Sequence, residues 1–213
     1  MALPSTLRRT SSVGRLILVR HGESVGNRDR IFAVNPAELP LTERGYQQAR
    51  AVAERIGALF NAELLVASPF VRARETARVI ADTLRLPLEI EPDLYERDVG
   101  SLQGQSYDLL SQAPGYDLAA PWRWKPEGGE SYEDVRNRVA PILDRLAKAH
   151  PQRDVVIVSH GGVMVTLWAY VTGDWRLART PHNCGVVVIE HGPEGYLLPQ
   201  PLDDAGEAAD AGG

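Results

Sequence analysis

Four short apolar runs, Leu16-Ile17-Leu18-Val19, Leu64-Leu65-Val66-Ala67, Val155-Val156-Ile157-Val158 and Val186-Val187-Val188-Ile189, stand between stretches whose apolar residues recur every three or four positions. A continuous apolar run offers no side to water, so it reads as a strand buried on both faces, and the periodic stretches read as the helices that cover it. This alternation predicts an α/β chain with a mostly parallel central sheet covered on both sides. Pro87-Leu88-Glu89-Ile90 suggests a further, weaker strand, and Tyr196-Leu197-Leu198 an edge.

The helices carry their own start signals. Thr42 is positioned as an N-cap with Glu43 in the first turn, ahead of a stripe of Ala49, Val52, Ala53, Ile56 and Phe60. Ser68-Pro69 is expected to open the next helix with proline at its first position, where a missing N–H costs nothing, and Ala73, Ala77, Ile80 and Leu84 form its inner face. Ser131, with Asp134 three residues on, resembles a capping box before Val135, Val139, Ile142, Leu143 and Leu146, and Pro151 ends that helix. A last helical stretch, Val163 to Val171, follows Ser159-His160-Gly161-Gly162. Between residues 91 and 130 there are turns and aromatics but little periodicity.

With 213 residues, 44% of them apolar, the chain is expected to form one domain over 1–213. The 28 acidic and 23 basic residues leave a net charge of −5, with no basic block, so neither nucleic acid nor an anionic membrane is an expected partner. No apolar run approaches the roughly 20 residues that span a bilayer. Cys184 is the only cysteine, so no intrachain disulfide can form and a cytoplasmic location is the default. Residues 1–14 lack the apolar core of a secretory signal and read as a loose terminus, while 201–213 reads as an acidic, disordered tail.

Chemistry concentrates where strands end. Arg20-His21 follows the first strand, Arg72 lies one turn into the helix after Ser68, and His160 follows the third apolar run. Parallel strands would bring these groups to one crevice, outside the carboxyl ends of the sheet. Two guanidiniums can fork onto phosphate oxygens, and helix N-termini add oriented N–H groups. A histidine there can attack phosphorus if its other ring nitrogen is held, for instance by a backbone carbonyl. Each residue also has a plainer reading: His21 as a hydrogen-bonded structural residue, Arg72 as part of the solvated face with Arg74, Glu75, Arg78 and Asp82, and Gly161-Gly162 as a turn. The combination favours a phosphate site.

The segments Leu18-Val19-Arg20-His21-Gly22-Glu23-Ser24 with Asn27, Leu41-Thr42-Glu43-Arg44-Gly45 with Gln48-Ala49, Ser68-Pro69 with Arg72-Ala73 and Thr76-Ala77, and Ser159-His160-Gly161-Gly162 together resemble the histidine phosphatase superfamily, phosphoglycerate mutase-like branch. They occur in family order across roughly residues 15–190. The resemblance implies a three-layer α/β/α sandwich, with Arg20, Arg72 and His160 binding the phosphoryl group and His21 as the phosphorylated nucleophile. It implies that Glu96, in Leu94-Tyr95-Glu96-Arg97-Asp98-Val99-Gly100, gives the leaving alkoxide its proton. Ser24, Asn27 and the Gly161 N–H match phosphate-contacting positions. Arg97 is a further candidate substrate contact, although its plainer role is to pair with Glu96 at the surface. Glu23 is read as structural, since bound phosphate would repel it. No metal or other cofactor is implied, because the histidines lack ligand spacing.

The superfamily contains mutases and phosphatases. Its cofactor-dependent mutases carry an Asn-Lys pair after the glutamate motif and paired arginines after a tryptophan, whereas here Gln105-Ser106-Tyr107 follows Gly104 and Trp122 precedes Arg123-Trp124. Hydrolysis of a small phosphomonoester through a phosphohistidine is therefore expected, with a phosphoglycerate mutase and a noncatalytic phosphate-binding module as the alternatives. Residues 97–130 read as a cap-like insertion whose aromatics, with Arg123 and Lys125, either select a small phosphorylated metabolite or anchor a long loop. Self-association into a homo-oligomer is left open.

Overall fold

The computed structural model describes residues 13–202. Seven strands form one sheet: β1 (Gly14–Arg20), β2 (Ala62–Ala67), β3 (Leu88–Ile90), β4 (Asp154–Ser159), β5 (Val186–Gly192), β6 (Gly195–Tyr196) and β7 (Gln200–Leu202). The order is β3-β2-β4-β1-β5-β6, with β7 also beside β5. The first four strands of that order are parallel, and β5 runs antiparallel to β1.

Alternate side chains of the apolar runs point to opposite faces, and each face has its own helices. Leu16, Leu18, Val155 and Ile157 pack with α4 (Tyr132–Ala149) and α5 (Gly161–Thr172). Ile17, Val19, Val156 and Val158 pack with α2 (Glu43–Leu59) and α3 (Val71–Leu84). The result is the three-layer α/β/α sandwich, its two cores separated by the sheet. Thr42 caps α2 through the Gly45 N–H, and Ser131 with Asp134 closes a full capping box on α4.

Several boundaries differ from the sequence reading. The helix expected to begin at Ser68-Pro69 begins at Val71, after Phe70. The Ser68 hydroxyl accepts from the Phe70 N–H and contacts His160, so it turns the chain two residues early instead of capping a helix. A five-residue helix, α1 (Val25–Asp29), was not anticipated; Ser24 and Asn27 form its capping box. Gly14 belongs to β1, and Pro201 and Leu202 pair with Val187 and Val186, so these three residues, assigned to unstructured ends, lie in strands. Residues 1–12 and 203–213 of those ends lie outside the described residues.

Register positions the site. Arg20 lies opposite Ser159 across β1 and β4, and Ala67 and Val19 both lie opposite Val158. The strands therefore end within one residue of one another, and the next residues, His21, His160 and Ser68, emerge along the same edge. Residues 91–130 form 3-10 turns at Pro92–Leu94, Gly100–Leu102, Tyr107–Gln112 and Pro121–Arg123. They carry a small core of Val99, Leu102 and Trp124, packed by Phe32, Leu110, Ala113 and Tyr116.

Candidate active site

His21 is 3% exposed and stands one residue beyond β1. Its Nδ1–H donates to the Gly22 carbonyl at 2.7 Å, which leaves Nε2 with its lone pair. Arg72, in the first turn of α3, donates its Nε–H to that Nε2 at 3.1 Å. Burial pushes the His21 pKa well below its ordinary value, and the charges of Arg72 and Arg20 push it the same way. His21 is thus neutral, with the unprotonated nitrogen turned towards a guanidinium.

His160 is fully buried, its ring edge-on to His21 at 5.2 Å between centres. Its Nε2 lies 2.7 Å from Ser68 Oγ, whereas its Nδ1 is buried without a hydrogen-bond partner. Burial, then the charge of Arg72, holds its pKa well below the usual range. Arg20 donates from Nη1 to the Pro181 carbonyl at 2.7 Å, and its Nε is likewise buried and unpartnered. The α5 N-terminus completes this corner: a Cβ on Gly161 would lie 3.6 Å from Arg20 Nε.

Glu96 enters from the loop after β3. Its Oε1 accepts from the Arg97 N–H at 2.7 Å and its Oε2 from the Gly162 N–H at 3.2 Å. A Cβ on Gly162 would lie 2.5 Å from Glu96 Oε1, so glycine there lets the carboxylate reach the start of α5. Glu96 makes no side-chain pair with Arg97, whose guanidinium carbon lies 4.4 Å from the Tyr132 ring centre and 5.7 Å from that of Trp124.

Arg20, His21, Arg72 and Glu96 line one cavity of about 1070 Å³ together with Ser24, Asn27, Arg97 and Gly161, whereas the fully buried His160 is not among its lining residues. The Ser24 hydroxyl caps α1, and Asn27 Oδ1 accepts from the Ser24 N–H, the Ser24 hydroxyl and Asn183 Nδ2. Glu23 accepts from the Thr42 hydroxyl at 2.7 Å and faces Arg44 at 3.8 Å, in keeping with a structural role. Arg123 is exposed and Lys125 pairs with Asp134 at 2.8 Å. Neither lines the cavity, so the cap cations singled out in the sequence do not face it.

Three positioning residues escaped the sequence reading. Ser68 touches His160, Thr76 Oγ1 accepts from the Gly22 N–H at 3.0 Å, and Asn183 donates to the His21 carbonyl at 3.1 Å. Ser68 and Thr76 lie within the quoted motifs; for Ser68 a hydroxyl at a predicted helix start was the available signal, whereas Thr76 lies inside the helix. Asn183 sits before an antiparallel strand and carried none. One whole wall, from Arg30 to Leu39, was also unforeseen. Among the described residues no three His, Cys, Asp or Glu side chains gather to hold a metal, and no helix is long and apolar enough to cross a membrane.

Comparison with known proteins points the same way. The family model for the histidine phosphatase superfamily (branch 1) matches residues 16–201. A metal-independent phosphoserine phosphatase of Arabidopsis thaliana is 37% identical over 169 residues, covering 76% of this chain and 70% of the relative. A glucosyl-3-phosphoglycerate phosphatase of Mycolicibacterium vanbaalenii is 34% identical over 173 residues, covering 76% and 75%. The solved structure of a mycobacterial glucosyl-3-phosphoglycerate phosphatase superposes with a TM-score of 0.75 at 28% identity, over 89% of this chain and 97% of that one. Such relatives favour phosphatase over mutase activity, and with the matched model they establish that this chain belongs to the histidine phosphatase superfamily, branch 1.

Proposed function

We propose that the chain hydrolyses small phosphomonoesters without a metal, in two displacements through a phosphohistidine on His21. The observation that carries this reading is the pair of buried, unpartnered nitrogens, Arg20 Nε and His160 Nδ1, beside a histidine whose free Nε2 already faces Arg72. Buried polar groups are normally satisfied, and a phosphoryl group at His21 would supply the missing acceptors.

In the first displacement His21 Nε2 bonds to phosphorus as the ester P–O bond breaks, and Glu96 gives a proton to the departing oxygen. In the second, water attacks phosphorus, Glu96 takes its proton, and the P–N bond breaks to return neutral His21 and inorganic phosphate. Arg20, Arg72, His160 and the Gly161 N–H at the start of α5 would meet the charge on the three equatorial oxygens. Ser68 has a positioning part: donating its O–H to His160 Nε2 leaves the imidazole hydrogen on Nδ1, which has no other partner and would be available to the phosphoryl group. Ser24, Asn27 and Gly161 would contact the phosphate or its surround.

The natural partner on this reading is a small phosphorylated metabolite. A cytoplasmic setting is supported by the lone Cys184, which is buried with its thiol pushed up to about 12 and serves as a packing group. The test is metal-free incubation with p-nitrophenyl phosphate and a panel of phosphomonoesters, following inorganic phosphate and acid-labile phosphoprotein, with His21→Ala as control. Phosphate release and labelling that both vanish in the variant are expected. Isomerisation dependent on a bisphosphorylated primer, or release that survives the variant, would overturn the reading.

A further inference from the structure

We infer that Tyr107 holds the attacking water of the second displacement, as the acceptor for the hydrogen that Glu96 does not take; this rests on the phosphohistidine reading above. Tyr107 opens the turn Tyr107–Gln112 and lines the cavity. Its N–H donates to the Arg30 carbonyl at 2.8 Å, the neighbouring Ser106 pairs with Ile31, and its ring leans on Phe32 with 4.5 Å between centres. Backbone and ring are both fixed to the wall, yet among the described residues nothing hydrogen-bonds to the hydroxyl.

The charges that bear on the hydroxyl tell where it points. Arg72, Glu96 and Arg20 act on it more strongly than Arg30, although its backbone is bonded to Arg30, whose guanidinium pairs with Asp108 at 2.7 Å. The phenol is therefore turned inward, towards the space between the two arginines and Glu96. Burial raises its pKa, so at neutral pH it keeps its hydrogen and can both donate and accept. Two other tyrosines of the cavity are placed differently: Tyr95 gives its hydroxyl to Glu130, and Tyr132 stacks under the Arg97 guanidinium.

Water that attacks the phosphohistidine must arrive opposite His21 Nε2, in the place the alcohol oxygen has left. It carries two hydrogens. One passes to the Glu96 carboxylate, and the other needs an acceptor if the lone pair is to stay aimed at phosphorus. Arg20, Arg72 and the His160 Nδ1–H supply none, because they are donors only. The Tyr107 oxygen accepts that hydrogen while its own O–H donates to a phosphoryl oxygen. As the new P–O bond forms, the P–N bond breaks and its electron pair returns to His21 Nε2. Glu96 ends protonated, hydrogen phosphate leaves with the second hydrogen, and Tyr107 is unchanged.

The test times the two displacements separately in the wild-type protein and in Tyr107→Phe, which keeps the ring against Phe32 and removes only the hydroxyl. With p-nitrophenyl phosphate as donor, whose leaving oxygen needs little help, the p-nitrophenol burst reports the first step and the decay of phosphoprotein quenched in alkali reports the second. Tyr107→Phe is expected to slow the decay by at least about tenfold, the scale of one hydrogen bond to a charged group. The burst rate and kcat/KM should stay within about twofold of wild type, so that kcat and KM fall together and phosphoprotein accumulates. Decay at the wild-type rate, or equal slowing of both steps, would overturn the inference. An unfolded fraction lowers the burst amplitude without slowing the decay of the remainder. Should Tyr107→Phe yield no folded protein, Phe32→Leu, which loosens the ring, is read by the same decay: slowing supports the assignment and a wild-type rate overturns it. A wild-type protein that releases p-nitrophenol without forming phosphoprotein defeats the phosphohistidine reading, whereas phosphoprotein whose decay ignores the hydroxyl defeats the role of Tyr107 alone.

Discussion

Arg20, His21, Arg72 and His160 stand at the ends of strands or in the first turn of a helix, where sheet register fixes their backbone. Across the same cavity Phe32, Val99, Arg97 and Tyr107 stand on turns gathered about a small core of Val99, Leu102 and Trp124. The contrast separates two tasks. On the proposed reading, a phosphoryl group, which has one geometry, would be met by residues locked to the sheet. An alcohol, which varies, would be met by a wall that can be rebuilt without disturbing the sandwich.

The comparison predicts where substitutions will act. His21→Ala should lower kcat by about 10⁴-fold or more with the fold intact, because it removes the nucleophile of the first displacement and the leaving group of the second; turnover near wild type would erase the division of labour. Glu96→Gln should cost about 10²- to 10⁴-fold on alkyl phosphates. It should cost far less on p-nitrophenyl phosphate, whose leaving group needs little proton donation, and equal losses on both would remove Glu96 as acid. On the opposite wall, Trp124→Ala should alter KM and substrate ranking more than kcat, and melting should report a loss of about 3 kcal/mol from the cap core. A uniform fall in kcat would show that the walls are not separable.

The smallest expected effect is on pH dependence. His21 and His160 are held neutral by burial, so their folded pKa values lie below those of the unfolded chain. The unfolded state then binds more protons, and their stabilisation is fully present above about pH 6.5 and lost as pH falls below it. Thermal unfolding between pH 7.5 and 5.5 should show a falling Tm, shallower in a His160→Asn variant. A flat profile would mean that the corner is more hydrated than its geometry indicates.

The sequence made the corner legible and the wall obscure for a physical reason. Strands buried on both faces and helices such as α2 and α4 write strong periodicities, and the motifs sit where these stop. The start of α3 was misread because Ser68 is drawn to His160, a tertiary contact that overrides local capping chemistry. Helix α1 is too short to show a period, and β7 lies in a Pro-containing stretch that resembles a tail. The wall from Arg30 to Leu39 joins the cap by pairing Ile31 with Ser106 and by bonds between Phe32, Gly104 and Gln105, contacts between segments remote in sequence. Arg123 and Lys125 misled because composition cannot tell which side of a turn a side chain takes.

One consequence of the reversed strand β5 concerns the order in which the chain is made. Its neighbours bring their ends to the crevice, but β5 brings its beginning, and with it the Pro181 carbonyl that holds Arg20 and the Asn183 amide that holds His21. A growing chain therefore possesses every reacting group once His160 has been added, yet still lacks the fastenings of the first two. Synthesis finishes the chemistry some twenty residues before the geometry.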